Sequence, residues 1–359
     1  MNKDEKLSKF FKNKKVLVTG HTGFKGGWLT EILTLWGAKV TGISLAPHTD
    51  PNLYTILKLD KKIQSNFVDI RDFDSVNKIF SKEKPEIVFH LAAQAIVKVS
   101  YEDPLRTYGT NVLGTAHILQ AIRNTKSVRG AVIITSDKAY ENVEWVYPYR
   151  ETDRLGGQDP YSASKAAADI IGQSFIRSFL SSKDSPFVAI ARAGNVIGGG
   201  DWSLYRIVPD VIRAVYEKKS PVVVRNPHSI RPWQLVLEPL SGYLLLAQRL
   251  YKGDSSLVTP WNFGPKDENF VPVSELVERG IKILGKGTYK VESKDKFHEA
   301  GILKLDISKA RSLLGWKPRL NVNETLEYTF KWYKNYYEKK ISPEEYTNLQ
   351  IQEYFSKEQ

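Results

Sequence analysis

The sequence of 359 residues contains no cysteine. Disulfides, thiolate nucleophiles and zinc sites with cysteine ligands are therefore excluded. The sequence also has no apolar run of about 18 residues, the length that a membrane-spanning helix needs. Residues 1–15 have no apolar core of the kind found in signal peptides, and acidic residues interrupt them. We therefore expect a soluble, cytoplasmic protein with no membrane partner.

Acidic residues are in the minority: 40 aspartates and glutamates stand against 52 lysines and arginines, which gives a net charge of +12. This excess points to an anionic partner. Because the basic residues are interleaved with acidic ones and no arginine-rich arm is present, we do not expect that partner to be nucleic acid. A nucleic-acid-binding protein or a nucleotide-sensing scaffold is the alternative from a different functional class.

Short apolar runs alternate with segments of helical periodicity through the first half of the chain. The predicted strands are 16–19, 39–45, 67–70, 86–92, 131–135 and 187–192, and the main predicted helices are 23–36, 107–125 and 161–180. Apolar strands separated by helices indicate a parallel sheet that is covered on both faces. The predicted fold is therefore α/β, a doubly wound parallel sheet of the Rossmann type.

Beyond residue 192, glycines and prolines divide the pattern into short pieces. We predict a smaller, mixed α/β domain here that binds the substrate. The Rossmann domain is predicted to take residues 1–193 and about 233–262, and the second domain about 194–232 and 263–330. Residues 331–359 are charged, rich in tyrosine and helical in pattern, and we predict that they form a helical C-terminal tail.

Three glycines at three-residue spacing, Gly20, Gly23 and Gly26, follow the first predicted strand. Glycine lets the backbone approach a pyrophosphate, and the following helix offers free N–H groups and the positive end of its dipole. With a strand before it and a helix after it, this spacing predicts a dinucleotide-binding loop. It is not a P-loop, because no Gly-Lys-Ser/Thr follows at the required spacing.

The end of the second predicted strand, residues 42–45, contains neither an acidic residue nor an arginine. An acidic residue at this point binds the ribose hydroxyls in many dinucleotide folds. The choice between NAD and NADP is therefore not encoded there. Asp69, Ile70 and Arg71, at the end of the third predicted strand, are predicted to flank the adenine, with a simple strand-ending turn as the alternative.

Tyr161 and Lys165 lie four residues apart at the start of a predicted helix and so share one helix face. A nearby ammonium lowers the pKa of a tyrosine and favours the phenolate as a base. Ser136 follows the predicted strand 131–135, and its hydroxyl can hydrogen-bond the same substrate oxygen. Together with the dinucleotide loop, these three residues predict oxidation of an alcohol by hydride transfer.

Several longer segments carry a resemblance to a known family. They are VTGHTGFKGGWL (18–29), HLAAQ (90–94), ITSDKAYEN (134–142), GGQDPYSASKAAAD (156–169), RAGNVIGGGDW (192–202) and RPWQLVLEPL (231–240). The chain resembles the extended short-chain dehydrogenases/reductases, and within them the branch of CDP-glucose 4,6-dehydratases. The similar dTDP-glucose dehydratases carry an Asp-Glu pair where this chain has Asp137 and Lys138.

The resemblance implies NAD-dependent dehydration of a nucleoside-diphosphate glucose by internal redox: oxidation at C4, loss of water across C5–C6 and return of hydride to C6. It implies that Tyr161 is the C4 base, that Asp137 is the acid and that Lys138 is the C5 base, with Ser136 and Lys165 assisting. In an alternative, Lys138 only stabilises the enolate. A nucleotide-sugar 4-epimerase or a decarboxylating relative is the alternative within the enzyme class, because it uses the same Tyr, Lys and Ser. It needs no acid–base pair after the strand, so Asp137 and Lys138 are the feature that discriminates against it.

The other implied site residues bind the two ligands, and no metal is expected. Those implied for NAD are Gly20, Thr22, Gly23, Phe24, Lys25, Gly26, Asp69, Ile70, Leu91, Ala92 and Ala93, together with Tyr161 and Lys165. Those implied for the nucleotide sugar are Gln94, Asn195, Arg206 and Arg231. Arginine suits this role because its guanidinium group pairs bidentately with phosphate.

The predicted helices at about 107–124 and 161–180 have apolar side chains on more than one face, among them Ile170, Ile171, Phe175 and Phe179. Packing on the sheet buries only one face of a helix. The surplus apolar surface predicts a subunit interface, and the resemblance implies the four-helix contact of a homodimer.

Overall fold

The computed structural model describes residues 3–357 except 181, 183, 267, 268 and 293–302. Residues 293–302 belong to the predicted second domain, and that part of the prediction lies outside the described residues. The strands are short and numbered in chain order. They are β1 (Lys15–Thr19), β2 (Lys39–Ser44), β3 (Gln64–Phe67), β4 (Ile87–His90), β5 (Gly130–Ile134), β6 (Phe187–Ala193), β7 (Val196–Ile197), β8 (Val222–Val224), β9 (Ile230–Pro232), β10 (Gln234–Leu235), β11 (Pro260–Phe263), β12 (Phe270–Pro272) and β13 (Tyr289–Val291).

The helices connect and cover these strands. They are α1 (Lys3–Phe11), α2 (Phe24–Leu35), α3 (Leu53–Ile56), α4 (Leu59–Lys62), α5 (Phe73–Glu83), α6 (Val97–Glu102), α7 (Pro104–Tyr108), α8 (Gly114–Asn124), α9 (Pro160–Phe179), α10 (Ile207–Ile212), α11 (Leu237–Tyr251), α12 (Val273–Leu284), α13 (Val322–Glu338) and α14 (Pro343–Ser356). Within the described residues, no helix combines the length and the apolar character that a bilayer crossing requires.

Seven strands form the main sheet in the order β11-β6-β5-β4-β1-β2-β3, and every neighbouring pair is parallel. Successive side chains of a strand point to opposite faces, so Val16 and Val18 enter the core beneath α2 and α11 while Leu17 enters the core beneath α5 and α8. Both faces of the sheet are therefore covered by helices. The predicted doubly wound parallel sheet is confirmed.

One strand lies earlier in the chain than predicted. The structure places β3 at Gln64–Phe67, whereas the apolar run had predicted 67–70. The strand forms an edge of the sheet, and three of its four residues are polar, so a search for apolar runs misses it. Val68 still donates to the carbonyl of Ser44, at 3.0 Å, before the chain turns toward α5.

The predicted helix at 107–125 is interrupted. Between α7 and α8, residues Gly109–Leu113 form one turn of π-helix. Asn111 lies in this turn and is buried. A π-turn widens the helix locally and turns side chains that a regular helix would direct elsewhere.

The C-terminal helices complete the hydrophobic core beneath α2 and α11. The indole of Trp332 in α13 donates to Thr347 in α14, and the hydroxyl of Tyr333 bonds both the backbone N–H and the carbonyl of Asp201. The indole of Trp28 in α2 donates to the carbonyl of Gly199 at 2.9 Å. Helix α13 thus holds the segment 199–201, which leads toward Arg206, against the main sheet.

Candidate active site

The glycine-rich loop makes a tight turn between β1 and α2. Gly20 has φ +78°, and a Cβ there would lie 2.8 Å from the backbone nitrogen of Ala92. A Cβ on Gly26 would lie 2.0 Å from the carbonyl oxygen of Gly20. These two glycines are needed for the turn itself, because any side chain would collide with the backbone.

The start of α2 is suited to an anion. Its first residue is Phe24, its N-cap is Gly23, and no side chain caps its N–H groups. Free N–H groups at a helix N-terminus bind phosphate, so the residues present fit the pyrophosphate of a dinucleotide. Thr22, also predicted to contact it, directs its hydroxyl elsewhere, to Ser44 at 2.7 Å and the carbonyl of Leu45 at 2.9 Å.

The buried imidazole of His21, in the loop after β1, lies against Gly42 in β2. Many dinucleotide folds have a carboxylate at the end of this strand. The ring of His21 packs so closely that a Cβ on Gly42 would lie 2.4 Å from its Nδ1, and its Nε2 lies 3.2 Å from the Ser65 hydroxyl. Burial lowers the pKa of His21 to about 4, so the ring is neutral near pH 7. The glycine spacing of this loop gives no indication of a role for His21.

Two of the residues predicted to flank an adenine are in different situations. The carboxylate of Asp69 forms a bidentate ion pair with Arg71, which lowers the pKa of Asp69. Ile70 is buried, and a Cβ on Gly114 would clash with it at 2.5 Å. Ile70 therefore supports the packing of α8, and its contact with a nucleotide stays a prediction.

Leu91, Ala92 and Ala93 follow β4 at the same sheet edge as the glycine-rich loop. The backbone N–H groups of Leu91 and Ala92 both donate to the hydroxyl of Thr19, at 3.1 Å each. This tie holds the 91–93 segment beside Gly20. It also occupies two backbone donors, so any contact with a ligand must use other atoms of this segment.

The catalytic residues predicted after β5 form a compact turn. The Ser136 hydroxyl donates to the Asp137 carboxyl at 3.0 Å, and the backbone N–H of Lys138 donates to the same carboxyl oxygen at 2.8 Å. Asp137 is 5% exposed, and burial raises its pKa. A Cβ on Gly194 would lie 3.1 Å from its other oxygen, so this carboxyl group lies where β5 and β6 end together.

Tyr161 and Lys165 approach this turn from α9, whose N-cap Asp159 accepts from the Ser162 N–H at 2.9 Å. Burial raises the pKa of the Tyr161 phenol, and the nearby Ser136 hydroxyl acts in the opposite direction. Burial lowers the pKa of Lys165 to about 8. The structure therefore brings Ser136, Tyr161 and Lys165 together. Burial also disfavours the phenolate of Tyr161 and the ammonium of Lys165, an effect that residue spacing does not reveal.

Lys25 extends from the start of α2 toward the same site. Its pKa is lowered to about 7, mainly by burial; the charges of Lys165 and Arg206 act in the same direction, while Asp137 opposes them. Its ammonium lies 5.8 Å from the centre of the Tyr243 ring. Several cations thus surround one carboxyl group, an arrangement that favours anionic ligands.

Three of the residues predicted to bind the sugar nucleotide make contacts within the protein itself. Arg206 lies 3.6 Å from the carboxylate of Asp201, and its charge reaches Tyr161. Arg231 is in β9 and donates to the carbonyl of Ile230 at 3.0 Å. The carbonyl of Asn195 accepts from the Gln234 N–H, at 3.2 Å.

Gln94 is held by the protein itself. Its side-chain amide donates to the Thr107 hydroxyl at 2.9 Å, and its side-chain oxygen accepts from the Ile96 N–H at 2.6 Å. The side chain of Asn111 accepts from the Gln94 N–H and donates to the Gln94 carbonyl. It also donates to the Ser164 hydroxyl at 2.8 Å. Gln94 shapes the 94–96 turn, and its contact with a substrate stays a prediction.

The sequence interpretation missed a buried ion pair beside the site, formed by Asp169 and Arg192 at 2.7 Å. Two signals could have revealed it. Arg192 is a charged residue inside an otherwise apolar strand, and Asp169 continues the four-residue spacing of Tyr161 and Lys165.

Comparisons with known proteins agree with this geometry. The family model for GDP-mannose 4,6 dehydratase matches residues 17–329. A CDP-glucose 4,6-dehydratase of Salmonella typhimurium is 46% identical over 330 residues, which cover 90% of this chain and 92% of that protein. A UDP-glucuronate 4-epimerase of Thermodesulfobacterium geofontis is 26% identical over 326 residues, covering 89% of this chain and 95% of that protein.

Solved structures share the fold. A dTDP-glucose 4,6-dehydratase of Bacillus anthracis in complex with NAD has a TM-score of 0.75 at 19% identity, covering 90% of this chain and 98% of that chain. An epimerase of Methanothermobacter thermautotrophicus has a TM-score of 0.79 at 22% identity, covering 94% and 98%. The match of the family model and the 46% identity to the Salmonella enzyme place the chain among the extended short-chain dehydrogenases/reductases. Within that class, the chain belongs to the GDP-mannose 4,6 dehydratase family.

The depressed pKa of Lys25 generates a stability prediction. In nucleotide-free buffer, Lys25→Met should raise the melting temperature at about pH 6 and change it little at about pH 10. The folded-state pKa of about 7 lies below the ordinary 10.5, so the cost of burying the ammonium is complete below pH about 7 and vanishes as the pH approaches 10.5. Differential scanning fluorimetry across this range measures the effect.

Lys39→Met is the matched control, because Lys39 is exposed at the start of β2. Its melting temperature should follow that of the unmodified protein at every pH. A gain from Lys25→Met that is equal at both ends of the pH range would contradict the burial argument.

Proposed function

We propose that this protein is an NAD-dependent CDP-glucose 4,6-dehydratase, a hydro-lyase that converts CDP-D-glucose into CDP-4-dehydro-6-deoxy-D-glucose for deoxysugar biosynthesis. The observation that carries the proposal is the buried Ser136–Asp137–Lys138 turn beside Tyr161. It adds an acid and an amine to the trio that oxidises an alcohol. The 46% identity to the Salmonella enzyme supports the same reaction and the cytidine nucleotide.

We propose that NAD binds along the β1–α2 loop, with its pyrophosphate at Gly23 and Phe24 and its further contacts at Lys25, Asp69 and the 91–93 segment. Bound NAD would supply a reversible hydride acceptor for the C4 and C6 positions of the sugar. Lys25 and the other cations of the site would face the negative charge of its phosphates, which would offset part of the burial cost of Lys25.

Tyr161 would take the proton of the C4 hydroxyl as hydride leaves C4. Its pKa is raised by burial, so a phenolate needs nearby positive charge to form near pH 7. Lys165, four residues further along the same helix face, supplies an ammonium for this purpose. Ser136 lies near the phenol and would orient the same substrate oxygen.

The second stage is loss of water across C5–C6. The ketone at C4 acidifies the C5 proton, which Lys138 would remove. Asp137 would donate a proton to the departing C6 hydroxyl, so that water leaves and a C5–C6 double bond remains. The raised pKa of Asp137 suits this role, because a protonated carboxyl can act as general acid. After hydride reaches C6, a proton returns to C5.

We propose that Arg206 and Arg231 hold the diphosphate of the substrate and that Asn195 and Gln94 contact the sugar or its phosphates. Guanidinium groups suit this task through bidentate pairing with phosphate oxygens. This assignment agrees with the predicted division of the chain into a Rossmann domain and a smaller substrate domain. We propose that division, and the helical C-terminal tail, for this protein.

A turnover assay tests the function. Purified protein with NAD and CDP-glucose should yield a 4-keto-6-deoxy product that absorbs in alkali, faster than with UDP-, dTDP- or GDP-glucose. Tyr161→Phe should lower kcat by about 10²- to 10⁴-fold, the usual contribution of a general base. Absence of product with all four nucleotides would contradict the proposal, and a change of configuration at C4 without a ketone would indicate a 4-epimerase.

Lys138 has two possible roles, and isotope exchange separates them. With CDP-glucose in D₂O, Lys138→Ala should stop incorporation of deuterium at C5, because no base removes that proton, while oxidation at C4 continues. Lys138→Arg is the control, since it keeps the charge but is a very poor base. Exchange at the native rate in Lys138→Ala would remove the base assignment, and recovery in Lys138→Arg would favour enolate stabilisation.

We also propose that the protein is a homodimer through α7, α8 and α9. Large apolar side chains are exposed along this side of the molecule: Leu105 is 81% exposed, Leu113 58%, Ile170 53% and Phe179 44%. Helices that expose this much apolar surface are suited to burial against a second copy.

The combined substitution Leu105→Glu and Leu113→Glu should convert the dimer into a monomer in sedimentation velocity, because buried carboxylates oppose association. Leu349→Glu is the matched control, since Leu349 is 48% exposed on the distant α14. A monomeric unmodified protein at micromolar concentration would rule out this interface.

A further inference from the structure

Three residues at four-residue intervals define one face of α9: Tyr161, Lys165 and Asp169. The first two contribute to the proposed chemistry. The third is completely buried and takes no part in the steps described above. Its position on the catalytic face, one turn beyond Lys165, raises the question of what it contributes.

The carboxylate of Asp169 joins three elements of the fold. One of its oxygens accepts from Arg192 Nε in β6 at 2.7 Å and from the Thr135 hydroxyl at 3.0 Å. The other accepts from the second nitrogen of the same guanidinium at 2.7 Å and from Gln173 at 2.9 Å. Helix α9, the end of β5 and β6 are therefore joined at one buried carboxylate.

Arg192 extends this connection to the far side of the catalytic turn. Its remaining terminal nitrogen donates to the Tyr140 hydroxyl at 2.7 Å and to the carbonyl of Glu151 at 3.1 Å. The Tyr140 hydroxyl in turn donates to Asn262 at 2.8 Å. Thr135 and Tyr140 are the residues on either side of the 136–139 turn, so the ion pair holds both of its ends.

Stability alone is a weak reason for such a pair. Both side chains are 0% exposed, and removing two charges from water costs about as much as their attraction returns, so an apolar pair of similar volume would serve the core at least as well. What an apolar pair cannot do is fix the direction of several hydrogen bonds at once. The arrangement therefore favours a role in orientation.

We propose that Asp169 and Arg192 are positioning residues for the reaction. Through Thr135 and Tyr140 they fix the Ser136–Asp137–Lys138 turn against the helix face that carries Tyr161 and Lys165. The role of the pair in turnover rests on the proposed dehydratase function. Its geometric effect on the turn does not.

The Thr135 hydroxyl is the most specific point at which to test this connection. Thr135→Val keeps the shape of the side chain but removes the donor to Asp169, whereas Thr135→Ser retains the donor. Thr329→Val is the matched control, because Thr329 is also buried and donates within α13, to the carbonyl of Thr325 at 2.8 Å, but has no link to the turn.

We expect Thr135→Val to lower kcat for CDP-glucose by about tenfold to a hundredfold, the cost of misplacing catalytic groups by about 1 Å, with KM changed by less than about threefold. Thr135→Ser should restore most of kcat. Thr329→Val should lower the melting temperature by a similar amount and leave kcat unchanged. Native kcat in Thr135→Val, or an equal loss in Thr329→Val, would overturn the proposal.

Crystal structures of Thr135→Val and Thr135→Ser test the geometry without any turnover. The 136–139 turn should shift relative to Tyr161 in the valine variant and superpose on the native turn in the serine variant. An undisplaced turn in Thr135→Val overturns the positioning role. If the unmodified protein does not convert CDP-glucose but the turn shifts as expected, the proposed function fails while the positioning of the turn stands.

Discussion

Parallel pairing of all seven strands in the main sheet determines where chemistry can take place in this protein. In such a sheet the carboxyl ends of the strands lie along one edge, and the loops that follow them meet there. The glycine-rich loop follows β1, the 91–93 segment follows β4, the Ser136–Lys138 turn follows β5 and Gly194 follows β6. Residues more than 170 positions apart in the sequence therefore share one site, which Tyr161 and Lys165 enter from α9 and Lys25 enters from the start of α2.

That site has an unusual charge balance for a buried region. Lysines with lowered pKa values, Lys25 and Lys165, surround a carboxyl group whose pKa is raised. Burial penalises the ionised form of each group. Groups that titrate closer to neutrality than usual are suited to exchanging protons during a reaction. The net charge of +12 is therefore less informative about partners than the few cations that the fold brings to this edge.

The parts of the molecule that obey simple repeating rules could be predicted from the sequence. Apolar strands, the glycine spacing and the Tyr161–Lys165 pair all depend on local periodicity, and the fold confirms the sheet. Strand β3 was misplaced because an edge strand of polar residues has no apolar signal. The ion pair of Asp169 and Arg192 was missed because these residues are 23 positions apart and are brought together only by packing. The roles of the site residues depend on such contacts, so motif spacing alone cannot establish them.

Contacts between the two ends of the chain have a consequence for its synthesis. The ring of Trp36, at the end of α2, packs on Phe355 at 4.8 Å, and Lys62 in α4 pairs with Glu344 at 2.8 Å. A ribosome releases α2 and α4 long before it releases α14. The apolar surface of α2 around Trp36 must therefore stay uncovered until α14 has been translated. Premature termination near residue 340 would leave that surface exposed.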